Sequence, residues 1–458
     1  MTALEKYLES IRGKRIAVIG AGVSNTPLIA LLRQAGLPVT VHDKKDAAAL
    51  GERYTELAAM GVSFVLGEDY LETLSEDIVF RTPGVHSLHP ALVEVRARGG
   101  VVTSEMELFF AVCPCPILGI TGSDGKTTTT TLVCEFLKHA GYTCHLGGNI
   151  GKPLLPEANS IQPDDLAIVE LSSFQLMGMQ YSPAVAAITN LTPNHLDYHK
   201  DFDEYVQAKT AIYTHQKAGD RLVINLDDPV TQTLTLNPES EIWGCTKQGK
   251  PENGVYLQDG IIYIAEKGVS HALMAAKDIR IPGEHNVSNV MMAAAIVQGR
   301  CQDADIVEVA KTFGGVEHRI EFVRELDGVR YYNDSIASSP TRTIAGLKSF
   351  SEKLILIAGG YDKHIPYDVL GAPICEHVSH LILTGATAPK IRACVEQTAC
   401  AEKPIMQDAA DLAEAVQLAK DAAKPGDVVI MSPASASFDC FKNFMERGNT
   451  FKALVNAL

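Results

Sequence analysis

Lys126 and Thr127 carry the clearest chemistry in the chain. An apolar run over 117–120 leads into Thr121-Gly122-Ser123-Asp124-Gly125-Lys126-Thr127-Thr128, and residues 131–137 follow with helical spacing. That order reads as strand, glycine-rich turn and helix. Backbone N–H groups that converge at a helix N-terminus favour an anion, and glycine lets the backbone come close to it. Lys126 would reach the outer phosphates of a nucleotide, and the Thr127 hydroxyl would sit on the magnesium ion that accompanies them. The match departs from the strict phosphate-loop pattern: Ile120 stands five residues before Gly125, and the glycines fall at 119, 122 and 125.

Other residues gain meaning from their distance to that loop. The apolar run 166–169 ends on Glu170, and a carboxylate at a strand end beside a phosphate loop can hold magnesium or simply cap its own loop. Gly147-Gly148-Asn149-Ile150-Gly151 reads as a glycine-rich loop with one amide at its centre. His195 lies in the polar stretch after the strand 184–190, where histidines are commonly solvated, and Lys209 on the helix through 202–209 reads alone as a surface lysine. Asn286 and Asn289 open an alanine- and methionine-rich helix; two amides there fit a nucleotide base, and capping explains them equally well.

Nearer the N-terminus, the strand 15–19, the turn Gly20-Ala21-Gly22-Val23-Ser24, a helix and a second strand ending on His42-Asp43 open a doubly wound unit. Its third fingerprint glycine is replaced by Asn25, so a nucleotide diphosphate over this turn is a better reading than NAD, and a glycine turn that holds no ligand fits about equally well. The strand-to-turn segment 77–85, which contains Thr82, belongs to the same sheet edge.

These residues need α/β layers to hold them. With 458 residues the chain is too long for one core, and roughly two to four domains are expected. The stiff link Cys113-Pro114-Cys115-Pro116 marks the first boundary. Short β-prone segments between 222 and 264 follow the phosphate loop, 313–321 reads as a hinge, and a third α/β region follows. Its strands end at the loops 333–335, 359–363, 384–385 and 432–439, the last running into a helix with Phe441, Lys442, Asn443, Phe444 and Arg447. A net charge of −15 argues against nonspecific attraction to nucleic acid or an anionic membrane. There is no 18-residue apolar run and no signal-peptide shape at Met1-Thr2-Ala3-Leu4-Glu5-Lys6, so a cytoplasmic protein is expected. Ten scattered cysteines without zinc-site spacing read as buried thiols.

Together these segments resemble the Mur ligases of cell-wall precursor synthesis over nearly the whole chain. The resemblance rests on 119–128, Gly-Gly-Asn-Ile-Gly at 147–151, Glu-Leu-Ser-Ser-Phe-Gln-Leu at 170–176, Asn-His-Leu-Asp at 194–197, Glu-His-Arg at 317–319, Asn-Asp-Ser at 333–335 and Ser-Pro-Ala-Ser-Ala-Ser-Phe-Asp at 432–439. The second serine-rich motif and Glu-Leu-Ser-Ser-Phe-Gln-Leu look like the branch of the family that adds D-glutamate. The resemblance implies an α/β protein of three domains: an N-terminal Rossmann-like UDP-binding domain (1–115), a central phosphate-loop ATPase domain (116–316) and a C-terminal Rossmann-like domain for the amino acid (317–458). It implies that ATP phosphorylates the carboxylate of UDP-N-acetylmuramoyl-L-alanine and that the amine of D-glutamate attacks the acyl phosphate.

The same resemblance implies roles. Gly122, Ser123, Asp124, Gly125, Lys126, Thr127 and Thr128 would cradle the ATP phosphates; Asn286, Asn289, Arg319 and Asp334 would contact its nucleotide part. Thr127, Glu170, His195 and a carbamate on Lys209 would hold two magnesium ions, with His318 near the acyl phosphate. Val23, Ser24, Asp43, Thr82 and Asn149 would hold the UDP-sugar. Ser338, Lys363, Ser437 and Phe444 would hold D-glutamate. The sequence departs from many members at Ile336, where lysine follows Asn-Asp-Ser. A monomer whose domains close around the substrates is expected. Rival readings are a sister ligase for another amino acid, a folylpolyglutamate synthase, an NAD-dependent dehydrogenase over the first 110 residues, and a nucleotide-sensing scaffold without turnover.

Overall fold

Runs of consecutive apolar residues make the strands of this protein, the pattern of parallel sheets covered on both faces. A computed structural model of the chain describes every residue except Val23, Ser24, Leu196, Asp197 and His364. The described residues form an α/β fold with three sheets. By its internal contacts the chain divides into two units, Met1–Asp278 with Val287–Val309, and Ile279–Asn286 with Ala310–Leu458. The first two sheets lie in the first unit and the third sheet in the second.

In the first sheet, β1 (Ile16–Ile19), β2 (Val39–Asp43), β3 (Ser63–Leu66), β4 (Ile78–Phe80) and β5 (Val101–Thr103) run parallel in the order β3-β2-β1-β4-β5. Every residue of β1 is buried. The loops after β1 and β4 leave the carboxyl edge side by side, where such sheets take ligands. Asn25, which replaces a fingerprint glycine, is buried and donates through Nδ2 to the carbonyls of Ile19 (2.8 Å) and Gly20 (3.1 Å). Its amide thus closes the strand end from which the glycine turn departs.

The second sheet is built from β6 (Ile117–Thr121), β7 (Cys144–Gly148), β8 (Leu166–Glu170), β9 (Val185–Ile188), β10 (Arg221–Asn225), β11 (Glu241–Thr246), β12 (Gly254–Gln258), β13 (Ile261–Glu266) and β14 (Val269–Ala275). Their order is β14-β13-β12-β11-β10-β9-β6-β8-β7; β12 to β14 pair antiparallel and the rest parallel. Ile120 is buried inside β6. The strand therefore runs one turn deeper than the strict phosphate-loop pattern, and no glycine is needed there. An apolar cluster runs without a break from Ile16 and Phe109 through Ile117 to Ala186 and Ile224, so the first two sheets share one core.

The third sheet holds β15 (Glu321–Leu326), β16 (Val329–Asn333), β17 (Leu354–Gly359), β18 (Val378–Thr384), β19 (Ile405–Asp408) and β20 (Val428–Met431), in the order β15-β16-β20-β17-β18-β19. Only β15 pairs antiparallel.

Several expectations change. Gly147 and Gly148 belong to β7 rather than to a loop, because their lack of a side chain lets β7 lie against β8: a Cβ on Gly148 would stand 2.2 Å from the Glu170 carbonyl. The last helix begins at Phe444, not before Phe441; Asn443 caps it by accepting the N–H of Glu446 at 2.9 Å. The cysteines are all free, but Cys440 is exposed and four others are only partly buried. No helix is long and apolar enough to cross a membrane among the described residues.

Candidate active site

The turn after β6 is held open by its neighbours. Gly122 (φ 146°) lies so close to the end of β9 that a Cβ would meet Thr189 Oγ1 at 1.9 Å. Ser123 N–H donates to Asn190 O (2.8 Å), and Asp124 N–H to Asn190 Oδ1 (2.9 Å). Gly125 takes the left-handed conformation (φ 77°) as N-cap of the helix Lys126–His139, and Asn289 Oδ1 would stand 2.3 Å from a Cβ there. The first N–H groups of that helix, on Lys126, Thr127 and Thr128, have no intrahelical acceptor and point out of its N-terminus. Lys126 Nζ folds back to Ser123 O at 2.9 Å. A glycine loop wrapped this way at a helix N-terminus offers the N–H donors that suit an anion such as phosphate.

At the end of β8, Glu170 is buried and accepts from two sides. Thr127 Oγ1 donates to its Oε2 at 2.8 Å, and Asn149 Nδ2 to its Oε1 at 2.8 Å. The structure thus brings together Thr127, Asn149 and Glu170, three residues far apart in sequence. Lys209 joins them from the helix Phe202–Thr214. Its side chain is 2% exposed, Nζ donates to Thr121 Oγ1 at 3.1 Å, and it lies over the Tyr205 ring at 4.9 Å. No carboxylate pairs with Lys209 among the described residues. Burial, then the charge of Lys126, push its amine well below the ordinary lysine range, against the pull of Glu170 and Asp124. The surface-lysine reading is therefore overturned: the group is a buried amine whose neutral form is favoured by its surroundings.

His195 is exposed in the loop after β9, with φ 55° and its ring edge on Phe174 at 4.9 Å. In the first sheet, Thr82 packs against Gly20, its Cβ 3.3 Å from where a Gly20 Cβ would stand. Asp43 accepts the N–H of Ala21 (2.8 Å) and of Lys45 (2.9 Å), so its carboxylate braces the glycine turn from below. Val23 and Ser24 lie outside the described residues.

In the second unit a separate cluster forms around the ends of β16 and β20. His318 (φ 64°) is buried against the last helix, where Gly448 leaves room for its ring. Asn333 Nδ2 donates to His318 Nδ1 (3.0 Å) and to Glu321 Oε2 (2.9 Å), which leaves the His318 proton on Nε2. Burial lowers the His318 pKa, and Glu317 pulls it back. The Phe444 ring stands edge-on to His318 at 5.9 Å, and Phe444 O accepts Ser335 Oγ at 2.7 Å. Asp334 is buried, accepts Ser432 Oγ at 2.6 Å, and burial pushes its pKa up to about 7. Ser437 is buried beside this loop, Ser338 half-buried and Lys363 exposed. At the departure from the family pattern, Ile336 O accepts Arg342 Nη1 at 3.3 Å, so a cation from the next helix stands at this loop.

The chain matches the model of the Mur ligase middle domain over residues 120–297 and that of the Mur ligase glutamate ligase domain over residues 318–435. A UDP-N-acetylmuramoylalanine–D-glutamate ligase of Acetivibrio thermocellus is 48% identical, covering 100% of this chain and 99% of that one. The enzyme of that name from Clostridium novyi is 47% identical, covering 99% of each chain. The chain belongs to the Mur ligase family. Two solved structures agree in fold. A UDP-N-acetylmuramate-alanine ligase from Thermotoga maritima is 16% identical with a TM-score of 0.56, covering 97% of this chain and 99% of that one. A MurF ligase from Thermotoga maritima, in complex with ADP, is 16% identical with a TM-score of 0.55, covering 98% and 97%.

Within the Mur ligase middle domain, the donor set beside the phosphate loop is oxygen-rich: a threonine hydroxyl, a carboxylate and an asparagine amide. Hard divalent cations take such ligands. No group of three or more His, Cys, Asp or Glu that could hold a metal occurs among the described residues. Thr127, Asn149 and Glu170 are of the donor type that a hard divalent cation such as magnesium takes. Sequence reasoning missed the supports: Thr189, Asn190 and Tyr205 reach the phosphate loop from other elements, so nothing in their spacing marks them, while Thr121 and Asn333 lie inside the motifs at 119–128 and 333–335 but carried no role of their own.

Proposed function

We propose that the chain is an ATP-dependent ligase that joins D-glutamate to UDP-N-acetylmuramoyl-L-alanine in peptidoglycan precursor synthesis. The observation that carries this reading is near-half identity, over the whole chain, to ligases of that name, together with an intact Lys126-Thr127-Glu170 cluster. Three anionic reactants must meet, so local positive charge and helix ends have to offset a chain of net charge −15.

In this reading the γ-phosphate of ATP passes to the carboxylate of the L-alanine residue, giving an acyl phosphate and ADP. The D-glutamate amine then attacks the acyl carbon, and phosphate leaves as the amide forms. Lys126 and the N–H groups of 122–128 hold the phosphates, and Asn289, seated on Gly125, packs the nucleotide side of the cradle. Asn286, Arg319 and Asp334 contact the nucleotide. Thr127, Glu170, His195 and a carbamate on Lys209 would hold magnesium, which would supply positive charge against the phosphates. Lys209 becomes a ligand by adding its neutral amine to carbon dioxide with loss of a proton, which turns a cation into an anionic oxygen donor. Its burial without a carboxylate partner supports that modification.

His318, whose Nδ1 accepts from Asn333, would offer its Nε2 proton to the acyl phosphate. Thr82 and the turn at 20–24 take the uridine diphosphate, Asn149 its sugar, and Ser338, Lys363, Ser437 and Phe444 the D-glutamate. The assignment of domains as 1–115, 116–316 and 317–458, a cytoplasmic location and a monomeric state belong to the same proposal.

Phosphate release from ATP with UDP-N-acetylmuramoyl-L-alanine tests it, adding D-glutamate, L-glutamate, L-lysine, meso-diaminopimelate or L-alanine in turn. Release and amide product with D-glutamate alone are expected. Release with another amino acid instead would discard the pocket assignment, and silence with all of them would discard the ligase.

A further inference from the structure

Two segments of the first unit are tied together by bonds that the phosphate cradle does not explain. Arg81 follows β4 and is 5% exposed. Its Nη2 donates to the carbonyls of Phe174 (3.0 Å) and Met177 (2.6 Å), and its Nη1 to Val85 O (3.3 Å) in its own loop. No carboxylate pairs with it among the described residues. A guanidinium buried on carbonyls alone is costly, and those carbonyls are its compensation.

A second route joins the same segments. Tyr198 Oη donates to Pro83 O at 2.9 Å. His86 Nε2 lies 3.3 Å from Glu204 Oε2, the same oxygen lies 3.5 Å from His199 Nδ1, and His199 Nε2 meets Ser173 Oγ at 2.9 Å. The Phe174 ring packs against Tyr198 (4.4 Å) and His199 (5.7 Å). On one side of the tie stands Thr82 against the glycine turn. On the other stands the helix Ser173–Leu176, which starts three residues after Glu170 and is closed by a capping box between Ser172 and Gln175.

We propose that Arg81 is a positioning residue that couples the loop 82–85 to Glu170, so that the UDP-linked substrate and the magnesium nucleotide tighten each other's binding. This rests on the functional reading above, in which Thr82 faces the uridine diphosphate. A substrate that immobilises 82–85 immobilises Arg81. Arg81 in turn holds carbonyls 174 and 177, and with them the strand end that presents Glu170 to Thr127. Such coupling is reciprocal: each ligand must tighten the other by the same factor.

The test is calorimetry on the full chain without D-glutamate. Magnesium with the β,γ-imido analogue of ATP is titrated with and without saturating UDP-N-acetylmuramoyl-L-alanine, in wild type, Arg81→Met, Arg81→Lys and Tyr198→Phe. Wild type is expected to tighten at least about fivefold, the lower end of typical couplings. In Arg81→Met the ratio should fall to about one while each ligand alone still binds, and Arg81→Lys should restore part of it. A purely structural Arg81 would lower the melting temperature and leave the ratio intact, which overturns the proposal, as does a wild-type ratio of one. If Arg81→Met fails to fold, unchanged ratios in both Arg81→Lys and Tyr198→Phe overturn it. Wild-type protein that binds the nucleotide but never the UDP-sugar sinks the functional reading itself.

Discussion

Replacing Gly125 by alanine separates two costs that the phosphate loop combines. The residue sits at φ 77°, where a side chain costs about 1–2 kcal/mol. A Cβ there would also stand 2.3 Å from Asn289 Oδ1. That atom is the tip of a side chain, so the contact is relieved by swinging Asn289 off Thr129 Oγ1, which it now meets at 3.4 Å. The left-handed strain has no such escape. If it falls on the nucleotide-binding form of the loop, ATP affinity drops roughly five- to thirtyfold, at about 1.4 kcal/mol per factor of ten.

The displacement of Asn289 adds a signature. Because alanine at 125 has already removed Asn289 from its place, Asn289→Ala should cost little more on top of Gly125→Ala than nothing at all. KM for ATP, measured by phosphate release in the two single variants and the double, is the assay, with thermal unfolding as control. Losses that add within about 0.3–0.5 kcal/mol would refute the shared-site argument, since independent positions add to that precision. Gly148→Ala is the contrast: its Cβ would stand 2.2 Å from a backbone oxygen of Glu170 and 3.0 Å from its nitrogen, and backbone does not swing aside. That variant should part β7 from β8, and no second substitution at a side chain should rescue it.

Glu170→Gln presents an N–H to one of the two donors, Thr127 or Asn149, that now point at the carboxylate. Turnover should fall on the order of 10- to 100-fold with a raised magnesium requirement; an unchanged magnesium titration would contradict the site. Lys209 should give a carbamate carbon signal by NMR in 13C-bicarbonate, absent in Lys209→Arg, and a silent wild-type spectrum would remove the modification. Asp334, with its pKa pushed up to about 7 by burial, binds more protons folded than unfolded between about pH 4 and 7. Its contribution to stability is therefore full below pH 4 and lost as pH rises to 7. Asp334→Asn should flatten that slope in denaturant unfolding. Glu76 runs the other way. Its pKa of about 2 is set against burial, which raises it, by hydrogen bonds from His42 and the Ser75 N–H, so stability is lost as pH falls from about 4.5 to 2. Glu76→Gln should remove that acid loss.

Which features were legible in the sequence follows from the range of the forces that make them. The strand 117–121, the turn and the helix after it were readable because a glycine at φ 77°, a helix start and an apolar run are local demands written in adjacent residues. Glu170 was readable for a related reason, since a carboxylate that ends an apolar strand sits at the ligand edge of a parallel sheet. Lys209 was not. Nothing around it distinguishes a buried lysine from an exposed one on an amphipathic helix; its 2% exposure arises because β6, Tyr205 and the phosphate loop close over it. β14 went unread because it is an edge strand with only Met274 fully buried, so no apolar run marks it.

Asp43 carries the point furthest. Its place after the second strand suggests a ligand for ribose hydroxyls, and its carboxylate also accepts the N–H groups of Ala21 and Lys45. A carboxylate oxygen has two lone pairs, so bracing the turn does not remove Asp43 from a ligand's reach. It does mean that loss of Asp43 deforms the turn whether or not the residue touches the substrate. The same holds for Asn25, whose amide ties Ile19 and Gly20, and for Arg81, whose guanidinium ties 174 and 177. In each case the side chain that sequence motifs single out, or pass over, acts on backbone supplied by another segment. A variant at such a position changes binding by moving that backbone, and only a conservative replacement that keeps the donor or acceptor separates contact from support.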